Sequence, residues 1–183
     1  MKLSRTLRFL APFLVFTGLC SATDLPTYSV RAERILDGDT GVFVITEGRF
    51  AKTRIKVRLA GVDAPELKKG RSKPAQPFAL DAKSALEQHT DGRVVRLSVL
   101  EMDRKAGVVL GILDYWMLDT RVNVNAEQVR HGYAELVTSA ERMPYELRRP
   151  LDLASAEAVQ SKRGVWSLSG HRPAGETKRL AAD

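Results

Sequence analysis

Cysteine is all but missing from this chain. The one cysteine among 183 residues, Cys20, falls in an amino-terminal segment that reads as a leader, so the mature chain is expected to hold none. A disulfide framework, a thiolate metal centre and a cysteine nucleophile are thereby excluded, even in an oxidising compartment. Histidine is scarce as well. His89, His131 and His171 show no metal-ligand spacing and are expected at the surface. No apolar run reaches the roughly 20 residues needed to cross a bilayer, and no internal repeat is found.

What is present begins with the leader. "MKLSRTLRF" carries Lys2, Arg5 and Arg8 without an acid, and "LAPFLVFTGLCSA" is an apolar core ending in small residues. This is the layout of a secretory signal over residues 1–22, with cleavage expected after Ala22 and the product placed in the periplasm or outside the cell. Removing three basic residues from 29 leaves 26 against 22 acidic, a net charge of +4. That is a mild bias toward anionic partners. A composition of 44% hydrophobic and 28% charged residues fits one globular domain, expected over 23–167. The tail, 168–183, has no apolar period and is expected to be disordered.

Three β-like runs, "YSVRAERIL", "GVFVIT" and "TRIKVRLAG", are separated by the turns "DGDT" and "EGRFAK" and suggest a meander. The third alternates cleanly, with Ile55, Val57 and Leu59 on one face and Arg54, Lys56 and Arg58 on the other. A broken, basic segment, "LKKGRSKPAQP", reads as a mobile lip. Pro77 suits the first position of a helix carrying Phe78, Ala82, Ala85 and Leu86 toward the core. "RVVRLSVLEM" and "GVVLGIL" then form a hairpin around "DRKA". Asn125 with Gln128 resembles a helix amino-terminal cap, and Gly132 suits the close of that short helix. Pro150 should start or kink the last helix. Trp116 and Trp166 are expected to pack in the core or a hairpin. The order gives an α+β chain, mainly β: a five-stranded Greek-key barrel with about three helices.

The chemistry concentrates in "LDGDT" and "VRLAGVDAPE". Each alone is more simply a turn or a solvated strand face. Together they close two neighbouring strands and could bring Asp39, Asp63 and Glu66 to one end of the barrel. Carboxylates converging there repel one another unless something cationic lies between them. Oxygen donors favour a hard ion, calcium before magnesium. A purely structural calcium site would have no need of Arg58, whereas a site that holds a phosphate would.

These motifs, with "VNAEQVRHGYAE" and "AEAVQSKRGVWS" following in order, resemble the staphylococcal nuclease-like, or thermonuclease, family, in a bacterial secreted form. The resemblance covers about residues 28–167. It implies an OB-fold barrel and a calcium-dependent phosphodiesterase acting on DNA or RNA. Carried over by position, Asp39 and Asp63 would be calcium ligands aided by the Ala64 carbonyl. Glu66 would be the general base that activates water, and Arg58 would bind the scissile phosphate. The product would act as a monomer on a nucleic-acid substrate, without stable membrane insertion once the signal is cleaved.

The chain departs from the family pattern at one hairpin. Where the family usually reads Asp-Arg-Tyr-Gly-Arg, this sequence reads "DRKAG", so the second phosphate-clamping arginine is replaced by Gly107 and the tyrosine by Lys105. Arg104 or Lys105 could reach in as a substitute. Loss of one transition-state donor commonly costs on the order of 10²–10³ in rate. Two other readings follow: a non-catalytic anion-binding OB domain, or an accessory protein of exopolysaccharide biosynthesis, succinoglycan being the example the family offers.

Overall fold

The structure, a computed structural model, describes residues 25–67 and 74–171. The leader, most of the basic lip and the tail beyond 171 lie outside the described residues, and the expectations for them stand outside the structure. Three strands, β1 (Thr27–Ile35), β2 (Thr40–Ile45) and β3 (Arg54–Leu59), form the expected antiparallel meander. A two-residue strand, β4 (Val62–Asp63), leads to helix α1 (Ala79–Thr90), followed by the long hairpin β5 (Val94–Asp103) and β6 (Val108–Met117). Strand β7 (Thr120–Asn123) runs directly into α2 (Val124–Arg130), and β8 (Glu135–Leu136) precedes α3 (Tyr145–Gln160).

Pairing follows β3-β2-β1-β5-β6-β7, and a parallel β3–β6 ladder, Lys56 with Val108 through Leu59 with Gly111, joins the ends of the first five. The five expected strands therefore close on themselves, and no edge is left between β3 and β6. Register shifts in β1 near Ala32 and in β5 near Val99 supply the local bending that closure needs. Alternation decides which side chains fill the interior. Val30, Phe43, Val57, Leu59, Val95, Leu97, Val109 and Leu113 are buried there, while Arg54, Lys56 and Arg58 point outward. Helix α3 lays Leu151 and Ala154 against the same core.

Several local expectations are corrected. Asn125 is not a cap: Asn123 holds that position, its side chain accepting from the Ala126 N–H. Asn125 lies two residues further on, in the first turn and fully buried, where its amide donates to the carbonyls of Ala60 (3.0 Å) and Gly111 (3.1 Å) and accepts from the Leu113 N–H (3.0 Å). Gln128, also buried, donates to the carbonyls of Gly38 (2.5 Å) and Ala82 (2.8 Å). These two side chains instead tie α2 to backbone groups of β6, of α1 and of the turns after β1 and β3. Gly132, at φ +68°, does close α2.

Pro77 precedes α1 instead of opening it, because Phe78 takes a left-handed φ of 65° at the cap. Pro150 sits within α3, whose first residue follows Pro144. His89 and His171 are not plain surface residues. His89 Nδ1 bonds the Tyr115 hydroxyl at 3.1 Å, and burial, the largest cause, holds its pKa below the usual histidine value. His171 packs edge-on against Trp166. Trp116 stands exposed on the β6–β7 hairpin instead of in the core.

Candidate active site

Asp39 closes the turn between β1 and β2, and its burial to 4% exposure follows from what packs over it. Gly38 allows that packing, since a Cβ there would lie 2.5 Å from the Ala82 Cβ on α1 and 2.8 Å from the Ala64 Cβ. The turn is thereby wedged between α1 and the loop after β4. Asp37 helps shape it by accepting from the Asp39 N–H at 3.1 Å. Asp39 in turn accepts from the Thr40 hydroxyl (2.6 Å), the Ala64 N–H (3.2 Å) and Arg58 Nη2 (3.3 Å).

Arg58 leaves the outer face of β3 and donates through the same Nη2 to Asp63 Oδ1 at 2.7 Å. One guanidinium nitrogen therefore bridges the two aspartates that the sequence placed together. Nη1 and Nε make no bond among the described residues, and the side chain is 45% exposed. An arginine presents five N–H donors, so the outward edge of the group faces the cleft with donors to spare. Glu66, three residues beyond Asp63, is fixed by Gln76: the Glu66 N–H donates to Gln76 Oε1 (2.6 Å), and the Gln76 N–H donates to the Glu66 carbonyl (3.0 Å).

Asp39, Arg58, Asp63 and Glu66 all line one cleft of about 590 Å³. Arg104 does not. It lies on the exposed turn between β5 and β6, where Asp103 accepts from the N–H groups of Lys105 and Ala106 (2.9 and 3.0 Å). Gly107 occupies that turn at φ +64° with open space around it. Two charged residues that the motifs did not single out reach the cleft, Lys56 and Asp103. Lys56 precedes Arg58 by two on β3, so strand alternation alone puts it on the same face. In the sequence that signal is the cationic face of the strand, which by itself does not point to a cleft. Gln76 gave no such signal.

The electrostatics are lopsided. Asp37, Asp39, Asp63, Glu66 and Asp103 face the cleft against Lys56 and Arg58. Burial pushes the Asp39 carboxyl up to about 6, and Asp37 adds to the rise, while the Thr40 hydroxyl, Arg58 and the Ala64 N–H oppose it. A buried anion in an excess of acids is the setting in which a cation is stabilising. The donor set is oxygen throughout, which suits a hard divalent ion. Among the described residues, no three His, Cys, Asp or Glu side chains are gathered closely enough to hold a metal by themselves. An ion held by Asp39 and Asp63 would therefore need backbone and solvent oxygens to complete its shell.

Comparison with known proteins agrees with the geometry. The family described as staphylococcal nuclease homologue matches residues 56–168. The chain is 32% identical over 149 residues to "Endonuclease Htp3" of Saprolegnia parasitica, which covers 81% of this chain and 68% of that protein. It is 40% identical over 116 residues to "Probable endonuclease LCL3" of Coccidioides posadasii, covering 61% and 37% respectively. The protein of that name from Candida tropicalis is 32% identical over 133 residues, covering 69% and 54%. The chain spans about two thirds of the first relative's length and about half or less of the other two. These relatives come from an oomycete and from fungi, so the expectation of a bacterial form draws no support from them.

Proposed function

Because the chain belongs to the staphylococcal nuclease homologue family, we propose that it is a nuclease, hydrolysing phosphodiester bonds of DNA or RNA in the cleft between β3 and the loop after β4. The observation that carries this reading is the Arg58 bridge. A guanidinium held by Asp39 and Asp63 presents its remaining donors to the cleft, with Glu66 lining the same space.

Hydrolysis accumulates negative charge on the phosphoryl oxygens as water attacks and the ester oxygen departs. Arg58 is suited to take two of those oxygens side by side. Glu66 removes the proton from the attacking water. Its backbone is clamped by Gln76, which keeps the carboxylate from drifting away from the phosphate. The chemistry a bound calcium supplies is positive charge beside the same oxygens, and Asp39 and Asp63, with the Ala64 carbonyl, would hold it.

The place of the missing second arginine goes to Lys56. It lines the cleft beside Arg58 and forms no ion pair among the described residues, whereas Arg104 stands outside the cleft. A lysine acts as a point charge and lacks the bidentate fork of an arginine, so catalysis should be slower than with a full clamp. The absent arginine is also what favours the second reading, an anion-binding domain without turnover, including the exopolysaccharide role. Export to the periplasm or medium, and action as a monomer, belong to the proposal as well.

The test is cleavage of single-stranded DNA and of RNA by the purified protein, with calcium and with chelator. Calcium-dependent cleavage supports the nuclease. Binding of the oligonucleotide without cleavage in any divalent ion would favour the binding domain.

A further inference from the structure

The opposite end of β6 from the cleft carries a feature that phosphodiester hydrolysis does not use. Trp116, Met117 and Leu118 follow one another at the apex of the β6–β7 hairpin and are 66%, 55% and 95% exposed. Elsewhere on the described surface, large apolar side chains such as Leu80 and Leu153 stand exposed with no exposed apolar neighbour beside them in sequence, which is ordinary. Three in succession place apolar groups on both faces of the tip. Val94 of β5 extends the patch along a groove of about 700 Å³ shared with Trp116, Met117 and Leu118.

The backbone at the tip adds weight. Leu118 has φ +53°, a left-handed conformation that asparagine and glycine adopt far more readily than leucine. The sequence therefore keeps a leucine where a polar turn residue would relieve both strain and exposure.

Behind the tip stands a ring of arginines. Asp114, fully buried, holds Arg96 at 2.9 Å and Arg121 at 2.8 Å. Two guanidiniums sharing one carboxylate leave a net positive charge across β6, with Arg96 on β5 and Arg121 on β7. Arg93 lies over the Tyr115 ring at 4.7 Å. Asp119 is the acid in the turn itself.

We infer that this hairpin is a peripheral docking site for an anionic lipid bilayer, with Trp116, Met117 and Leu118 entering the headgroup and acyl boundary and Arg93, Arg96 and Arg121 meeting lipid phosphates. Tryptophan is at home at that depth, and guanidiniums set back from an apolar tip match the order of layers in a membrane surface. A nucleic-acid strand would use the Trp116 ring but has no use for Met117 or Leu118. Along β6 the cleft reaches Leu110 and the tip begins at Trp116, about 20 Å apart at strand rise, so docking through the tip leaves the cleft accessible.

The inference is independent of turnover and is tested by co-sedimentation with vesicles of phosphatidylcholine alone and of phosphatidylcholine mixed with phosphatidylglycerol. The wild type is expected to pellet with the anionic vesicles, with a blue shift in tryptophan emission that Trp116→Ala removes. Leu118→Asn suits the left-handed turn and is expected to keep or raise the melting temperature while lowering the partition coefficient at least about tenfold. Failure of the wild type to bind anionic vesicles would overturn the inference, as would equal binding by Leu118→Asn. So would a dimer in sedimentation velocity that Leu118→Asn dissolves, or competition from single-stranded DNA for the same tip.

Discussion

Asp39 is the residue on which the site's electrostatics turn. With its carboxyl raised to about 6 by burial against an unfolded value near 3.8, the folded state binds the proton more tightly than the unfolded chain. In the metal-free protein that contribution is complete below about pH 4 and is lost as pH rises through about 6. Asp39→Asn should therefore be more stable than wild type at pH 8 without metal, by on the order of 2 kcal/mol. The gap should shrink toward pH 4, and the variant should lose any calcium-induced rise in melting temperature. Thermal melts across that pH range check this. A variant less stable at every pH would show that the Arg58 contact outweighs the burial. Glycine 107 constrains a second experiment: at φ +64°, Gly107→Arg carries a backbone penalty of about 1 kcal/mol, so any gain in cleavage should come with a lower melting temperature.

Elements decide how these residues meet. The alternation of β3 sends Lys56 and Arg58 to one face, and the β3–β6 ladder places Val108 beside Lys56, so the cleft inherits both cations from a single strand. Lys56→Ala should lower kcat/KM on single-stranded DNA roughly ten- to hundredfold, while Lys56→Arg, which supplies the bidentate fork a lysine lacks, should match or exceed the wild type. Arg104→Ala, outside the cleft, should change it little. The reverse outcome would return the second clamp to the β5–β6 turn. Helix α2 is where the β1–β2 turn, α1 and the end of β3 are tied together. Asn125→Ala removes bonds to the Ala60 carbonyl and the Leu113 N–H and leaves the Gly111 carbonyl with the Ala60 N–H alone. It should destabilise the fold by about 2–4 kcal/mol, read as a lower urea midpoint at unchanged slope.

At the scale of the whole molecule, the five barrel strands were legible because each alternates or ends in turn residues, and Asp39, Arg58, Asp63 and Glu66 were legible as motifs at strand ends. The structure brings all four to one cleft. What the sequence did not disclose depends on contacts between distant segments. Asn125 and Gln128 resemble a cap until the helix is docked against β6, α1 and the turns after β1 and β3. The β7 strand is too short and polar to declare itself without β6. Phe78 escapes the helix that Pro77 seemed to open because of a single left-handed residue. Arg104 and Gly107 could be placed in the cleft or out of it only once the turn's direction was known.

The central claim is that this cleft hydrolyses phosphodiesters with Arg58 as clamp and Glu66 as base. Its most direct test is the initial rate of single-stranded DNA cleavage by wild type and Glu66→Gln, each with calcium and with chelator. The expected result is calcium-dependent cleavage by the wild type that falls at least about a hundredfold in Glu66→Gln, with oligonucleotide binding retained. Cleavage that survives Glu66→Gln undiminished, or a wild type that binds the strand and cleaves it under no condition, would contradict the account.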